Sequence, residues 1–511
     1  MEKFRFSKKS NKAHLIKWRP WSKEAFDEAK AQNKPVYLSL AAVWCHWCHI
    51  MDDTTLSHQP SIDYLNENFI PLRVDTDKRP DIQNRYILGG WPTTAFLTDE
   101  GDIISGGTYM PPEEFFKIIK KVKKDWVQNK GEILEKAKSR RQDILERVAT
   151  DHPSKPTLAY VDVTLEIYKN AFDDKFGGFG KAMKFPSPLT MELFLREAET
   201  QKRDELLDIV TTTLDNMAEG EIYDKEWGGF FRYATERDWS RPHFEKLLSE
   251  NAQIIMNYLH AYEINEKQLY LEIATKSLDY VNKFLANHPS GGFFGSQDAD
   301  EEFYELKAEQ RKAKNKPFID KTIYTDFNAQ MVSTYLEAYR ILDEKKYFGF
   351  AHDTMRFLQN NLLSNIGAAH YYNEEEGAST FGLLSDQVQI LQALVDLYEH
   401  NPEVDFLTQA NDLVDVLTNR LAGDGSFFDK PKEEDDIGNL QIRYKPIKEN
   451  SLLAIALDRL SILTNSKDFS DLAKKILSSF DFSQVKDDFI SMSPYALALG
   501  EVFGEKEEKA A

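Results

Sequence analysis

Cys45 and Cys48 are the only cysteines among the 511 residues, and they stand in "AAVWCHWCHIM" with His46 and His49 beside them. Three chemistries use that spacing: a dithiol that opens and closes a disulfide, a covalent haem attachment through Cys45, Cys48 and His49, and half of a metal site. The apolar run at 35–42, "PVYLSLAA", reads as a buried strand ending just before Cys45, where a helix would open. The amides and dipole of that helix would stabilise a thiolate and lower the first cysteine's pKa, which favours the dithiol. In "GGWPTT", Pro92 lies 47 residues after Cys45 at the head of a later strand, a position that suggests a cis turn. The haem reading needs export, and no apolar signal segment follows the basic N-terminus. Four adjacent ligands on one helical turn cannot easily close a tetrahedron, so no metal and no cofactor is expected. In this reading Cys45 attacks a protein disulfide, Cys48 resolves the mixed disulfide, and Pro92 shapes the docking groove.

A second group of reactive side chains lies in the C-terminal two thirds: His243, Glu245 and Lys246 in "RPHFEKL", Asp298 and Asp300 in "SQDADEE", His370 in "AAHYY", and Arg443, Tyr444 and Lys445 in "IRYKP". Phe176, Trp227, Phe230, Trp239 and Phe293 stand near them. Aromatic surfaces with scattered acids and a histidine suit a sugar, whose ring faces are apolar and whose rim carries hydroxyls. Hydrolysis would need two carboxylates flanking the bond, for which Glu245 and Asp298 are the pair to consider. Epimerisation or isomerisation would need histidine as acid or base, with His243 and His370 in loops of different hairpins. Trp227, Trp239, Asp300, His370 and Arg443 are the residues expected to hold such a ligand. The competing reading of the "DAD" acids is helix capping, and that of the Gly-Gly-aromatic turns is architecture.

The elements that position these groups divide into two grammars. From Lys34 to about Trp126, short apolar runs at 35–42, 69–75, 93–98 and 103–109 alternate with helical stretches, which argues an α/β domain. A basic helix, "EILEKAKSRRQDILERVA", then leads to "TDHPSKPT", whose prolines mark a linker near residue 155. Beyond it, apolar spacing predicts twelve helices, beginning near Leu158, Leu189, Glu205, Leu247, Gln268, Asp326, Lys345, Phe381, Val404, Glu449, Lys467 and Met492. Glycine-aromatic turns recur at "FGGFG", "WGGFF", "SGGFF", weakly "GAAHYY", and "DGSFF", a period that signals a repeated helical hairpin. Connections from odd to even helices are long and those from even to odd very short. Hairpins alternating around a ring therefore collect every long loop at one end, where a binding site belongs. "KEEDD" at 432–436 reads as a solvated loop, and "KAEQRKAKNK" at 307–316 as a charged surface loop or short helix.

Several blocks, "WCHWCHIM", "VDTDKRPDI", "GGWPTTAFLTDEG", "FGGFGKAMKFPSP", "HFEKLLSENA", "GGFFGSQDAD", "TDFNAQMV" and "ENSLLAIAL", resemble the signatures of the spermatogenesis-associated, thioredoxin-like protein family. The resemblance implies a multi-domain chain: a thioredoxin-like α/β fold over 1–130 with an N-terminal extension, a helical linker over 131–156, and an all-α (α/α)6 toroid over 157–511 similar to those of sugar epimerases and glycosidases. It implies no settled reaction. Ser39 stands where typical thioredoxins carry a buried Asp six residues before the first cysteine, and His46-Trp47 replaces their Gly-Pro. The functional expectation is a thiol-disulfide oxidoreductase-like domain fused to a carbohydrate-binding or carbohydrate-active toroid. The alternatives are a sugar epimerase, isomerase or hydrolase in the toroid with a structural or regulatory thioredoxin-like domain, and a non-enzymatic partner-binding protein.

Bulk properties exclude some partners. The chain carries 64 basic and 84 acidic residues, a net charge of -20, although its first fifty residues hold ten basic against four acidic. Such an acidic balance disfavours nucleic acid and anionic membranes. With no membrane-length apolar run and no export signal, the cytoplasm is the expected compartment.

Overall fold

A computed structural model describes residue 7, residues 9–149 and residues 154–504. Residues 150–153 of the expected linker lie outside the described residues. The chain divides into two units: Met1–Thr150 with Lys430–Tyr444, and Asp151–Asp429 with Lys445–Ala511.

In the first unit a four-stranded sheet runs β2–β1–β3–β4, built from β1 (Val36–Ala41), β2 (Ile70–Asp75), β3 (Thr93–Leu97) and β4 (Ile103–Gly107). β1 pairs parallel with β2 and antiparallel with β3, and β3 pairs antiparallel with β4. All six residues of β1 are buried because helices cover both faces. Val36, Leu38 and Leu40 face α1 (Lys23–Ala31) and α4 (Pro80–Tyr86). Tyr37, one step out of phase, faces α2 (His46–Asp53), α3 (Gln59–Asn68) and the start of α5 (Pro112–Ala149). α5 is kinked at Asn129, and its second half stays with this unit: Ala137 is buried and Arg141 Nε lies 3.4 Å from Asp102. The stretch expected as a linker thus begins as a helix packed on the sheet domain.

Residues 430–444 also belong to this unit, although they interrupt the helical repeat. Leu440 enters the same apolar cluster as Val36 and Tyr86, with Ile437 beside it. Arg85 donates from Nε to the carbonyls of Asn439 (3.0 Å) and Ile442 (2.9 Å), and the Tyr86 hydroxyl accepts from Asn439 N–H at 2.8 Å while donating to Gly101 O. Within this segment residues 432–435 are exposed, as a solvated acidic run should be, and Asp436 holds Lys430.

Among the described residues of the second unit, twelve helices form two layers. The inner ring is α7 (Pro188–Gln201), α9 (Leu248–Asn265), α13 (Thr325–Leu342), α15 (Leu384–His400), α17 (Ile447–Thr464) and α20 (Phe489–Phe503), each packed on the next, with α20 closing onto α7. The outer helices are α6 (Ala159–Ala171), α8 (Asp204–Glu219), α10 (Gln268–Tyr280), α14 (Lys345–Asn361), α16 (Val404–Leu421) and α18 (Lys467–Ser478). Each start lies within three residues of its sequence-based expectation. Three short helices sit in the loops: α11 (Glu301–Tyr304), α12 (Ala308–Lys312) and α19 (Phe482–Asp487). Every outer-to-inner connection is a long loop, so the N-termini of the inner helices share the long-loop face.

Two repeated devices hold that face. The fourth residue of α9, α13, α15 and α17 is an amide: Asn251, Asn328, Gln387 and Asn450. Each accepts the N–H and donates to the C=O of one residue in the preceding turn, Phe230, Phe293, Ala368 or Phe427. The second device is a buried ionic clamp on the Gly-Gly-aromatic turn. Asp173 accepts from Lys184 and Arg237, and Asp224 accepts from Lys246 and Arg311, while Lys184 and Lys246 also cap the carbonyls of Gly177 and Gly228. Arg311, from the stretch expected at the surface, is therefore buried at 2 % exposure. Gly228 (φ 78°) needs its glycine: a Cβ there would meet Lys276 O at 2.3 Å.

Candidate functional sites

In the first unit Cys45 is the N-cap of α2 and is joined to Cys48 by a disulfide. Its Sγ accepts the Cys48 N–H at 3.1 Å, so one first-turn amide is directed at the sulfur that would carry negative charge. The Trp91–Pro92 peptide is cis, as "GGWPTT" suggested. Trp44 and Trp91 stand edge to face at 5.7 Å, the first donating to Asp77 Oδ2 (2.6 Å), the second to Thr76 Oγ1 (3.0 Å). His49 Nε2 lies 3.1 Å from Val43 O. Ser39 is buried opposite Arg73 on β2, and Arg73 forms a buried two-pronged ion pair with Asp52, at 2.6 and 3.0 Å. Asp52 lies one turn beyond Cys48 on α2, so this unit does bury a carboxylate, but on the cysteine-capped helix itself and paired with arginine.

In the second unit the long-loop face brings together residues that the sequence reading held only in part. His370, on the strand Gly367–Asn373, is 2 % exposed, and its Nδ1 lies 2.9 and 3.1 Å from the two carboxylate oxygens of Asp386, in the first turn of α15. Asp326, in the first turn of α13, completes a group whose potential ligand atoms lie within 4.8 Å of one another, the only such metal-capable cluster among the described residues. Two helix N-termini add positive potential there, which opposes a cation and favours the charged carboxylates, so the rise in these acids comes chiefly from burial. Burial pushes the Asp386 carboxyl up to about 7, against the pull of His370, and raises Asp326 as well. The arrangement is an imidazole held by a carboxyl that gains and loses its proton near neutrality, which suits general acid–base transfer.

A second imidazole–carboxylate pair stands at the entry to α9. His243 Nδ1 is 3.7 Å from Glu245, a buried residue, and burial drives Glu250, in the first turn of α9, up to about 7. Asp386, Asp326 and Glu250 went unnoticed in the sequence. The available signal was position: each lies one or two residues before the amide that ties an inner helix to its preceding turn.

Other expected site residues have structural settings. Trp239 is fully buried and donates Nε1–H to Phe176 O; Trp227 stacks on Phe284 at 4.9 Å, with the Arg311 guanidinium 5.5 Å away. Phe230 and Phe293 are core residues. Asp300 caps α11 by accepting from Phe303 N–H at 3.0 Å, the capping role that the sequence left open. Asp298 is 3 % exposed, its N–H bonded to Phe318 O. Lys246 is spent in the Asp224 clamp, and burial lowers it to about 8. Arg443 lies in the first unit, donating to Lys430 O, and Tyr444 lies under Arg85.

Sheet order, the cysteine-capped helix and the ring of helical hairpins define the class: a thioredoxin-like domain in one chain with an (α/α)6 toroid. Residues 5–145 match the family model Thioredox_DsbH, described as a protein of unknown function, DUF255. The resemblance to the spermatogenesis-associated thioredoxin-like proteins holds: the chain is 34% identical over 307 residues to spermatogenesis-associated protein 20 of Rattus norvegicus. That match covers 56% of this chain and 39% of the relative, so the chain spans about two fifths of the length of the curated relative it matches. The helical unit is similar in fold to a crystal structure of D-mannose isomerase (TM-score 0.53, 12% identity, 68% of this chain and 99% of that one). It is likewise similar to a sugar epimerase from a ruminal bacterium (TM-score 0.52, 12% identity, 68% and 87%). No helix among the described residues is long and apolar enough to cross a membrane.

Proposed function

We propose that the toroid is a carbohydrate-active enzyme of the epimerase or isomerase type, working by proton transfer. One observation carries this: His370 Nδ1 held at 2.9 Å by an Asp386 carboxyl that titrates near 7. With Asp386 ionised and accepting from His370 Nδ1–H, His370 Nε2 would accept the proton on the carbon beside a sugar's carbonyl, and the Asp386 carboxylate would stabilise the imidazolium that forms. His243 with Glu245 would return a proton or serve the oxygen. The sugar-acting proteins that share the fold support a carbohydrate as substrate. The test is a screen of free aldoses and ketoses in D2O, reading deuterium uptake at the carbon beside the carbonyl. His370→Gln should lower exchange at least about a hundredfold; equal exchange in this variant and wild type would remove the dyad from the reaction.

For the first unit we propose thiol–disulfide exchange, supported by the Cys48 N–H directed at Cys45 Sγ. Cys45 thiolate would attack a protein disulfide and Cys48 would displace it, reducing the substrate and leaving the Cys45–Cys48 disulfide. Cys45→Ser should abolish turnover of a mixed-disulfide probe. Unchanged turnover would refute the assignment. The cytoplasm, where such a pair would be re-reduced by the thiol pool, is the compartment we propose.

A further inference from the structure

The tryptophans expected to bind sugar lie in the core or in turn packing, so a carbohydrate-active toroid needs its apolar surface elsewhere. Two short strands, Tyr233–Ala234 and Pro242–His243, with an isolated bridge at Lys184, supply one on the long-loop face. Lys184 bridges Ala234 antiparallel, and Tyr233 pairs with His243. Because side chains alternate along each strand, Lys184 and Ala234 turn inward and are fully buried, while Phe185, Tyr233 and His243 line one row on the other side. Their rings stack: Phe185 on Tyr233 at 4.9 Å and 15°, Tyr233 on His243 at 4.5 Å and 22°. Phe185 ends the row with 47 % of its surface exposed.

We propose that Phe185 is a stacking platform for an uncharged pyranose, the outer end of a three-ring ladder whose inner end is the His243–Glu245 pair. The proposal rests on the carbohydrate reading and names where the ring is held. A pyranose presents a flat C–H face to an aromatic ring and hydroxyls at its edge. Polar groups gather at the inner end of the ladder: Glu245 beside His243, Arg232, whose guanidinium lies 5.4 Å from the Tyr233 ring, and Glu250, whose Oε2 is buried with no hydrogen-bond partner. Two acids against one arginine disfavour a sugar phosphate, as does the net charge of -20.

The test uses the full chain and two probes locked as closed rings, methyl α-D-mannopyranoside and methyl β-D-glucopyranoside, which bind without reacting. Dissociation constants come from titration calorimetry, backed by saturation-transfer NMR. Phe185→Ala, at an exposed site, should keep the wild-type melting temperature and weaken binding about tenfold; Phe185→Tyr should bind as wild type. Equal affinity of Phe185→Ala and wild type overturns the platform. So does a wild type that binds neither glycoside yet exchanges protons on free sugars, which leaves the enzymatic reading intact. Glycoside binding through Phe185 without any exchange on free sugars would uphold the platform and refute the enzyme.

Discussion

Asp386→Asn separates what the dyad does from what it costs. Asp386 is fully buried, and burial raises its carboxyl from 3.8 to about 7, at about 1.36 kcal/mol for each tenfold change in proton affinity. Between those values the native state holds a proton that the unfolded chain has released. Stability therefore falls as pH rises through that window, by about 4 kcal/mol in all at most. Asparagine keeps an oxygen to accept from His370 Nδ1 but has no charge to bury. The variant should match wild type near pH 4 and exceed it by a few kcal/mol at pH 8, while losing proton exchange on sugars. Urea unfolding followed by circular dichroism at pH 4, 5, 6, 7 and 8 measures this directly. If the difference between variant and wild type does not change with pH, or if the variant is the weaker protein at pH 8, the inference that burial destabilises the Asp386 charge is refuted.

Other perturbations read other parts. His260, bridged between Glu192 (2.8 Å) and Glu337 (3.5 Å), has its pKa raised well above 6.5 by these carboxylates despite desolvation. Its contribution is full below about 6.5 and lost as pH rises through the folded value, so His260→Gln should cost about 2 kcal/mol at pH 6 and little at high pH, read from melting curves. Lys246→Met leaves Asp224 with Arg311 alone and should destabilise the toroid by about 3 kcal/mol in urea unfolding. Arg85→Ala leaves the buried Asn439 and Ile442 carbonyls without their donor and should cost about 3 kcal/mol. Hydrogen exchange would locate that loss in the sheet domain and in 430–444.

The fold was legible because its signals are local. Apolar spacing marks each of the twelve helices, and the cysteine pair after a buried strand marks the domain that holds it. The candidate site was half legible. His370, His243 and Glu245 carry conspicuous chemistry in loops, whereas Asp386, Asp326 and Glu250 look like ordinary acids in a helix's first turn, where the dipole welcomes them. What sets them apart is desolvation by packing from other elements, which no local pattern encodes. Trp227 and Trp239 misled for the converse reason. Trp227, beside Gly-Gly, reads as a binding surface and so does Trp239 in its loop, but the turn glycines let the Trp239 ring, Tyr280 and the Lys276 backbone close over them. Arg443 was assigned by its neighbours in sequence, and the contacts of 430–444 span more than 350 positions.

The contribution of 430–444 to the sheet domain bears on how the protein is made. When residue 149 leaves the ribosome, every strand of that sheet exists, but Leu440 and the carbonyls that Arg85 will hold have yet to be translated. Roughly 300 residues intervene, about 15 to 60 s of synthesis at ordinary rates. Through that interval the nascent domain waits with part of one apolar face uncovered, an opening for chaperones. It reaches its final packing only after more than half of the toroid has emerged.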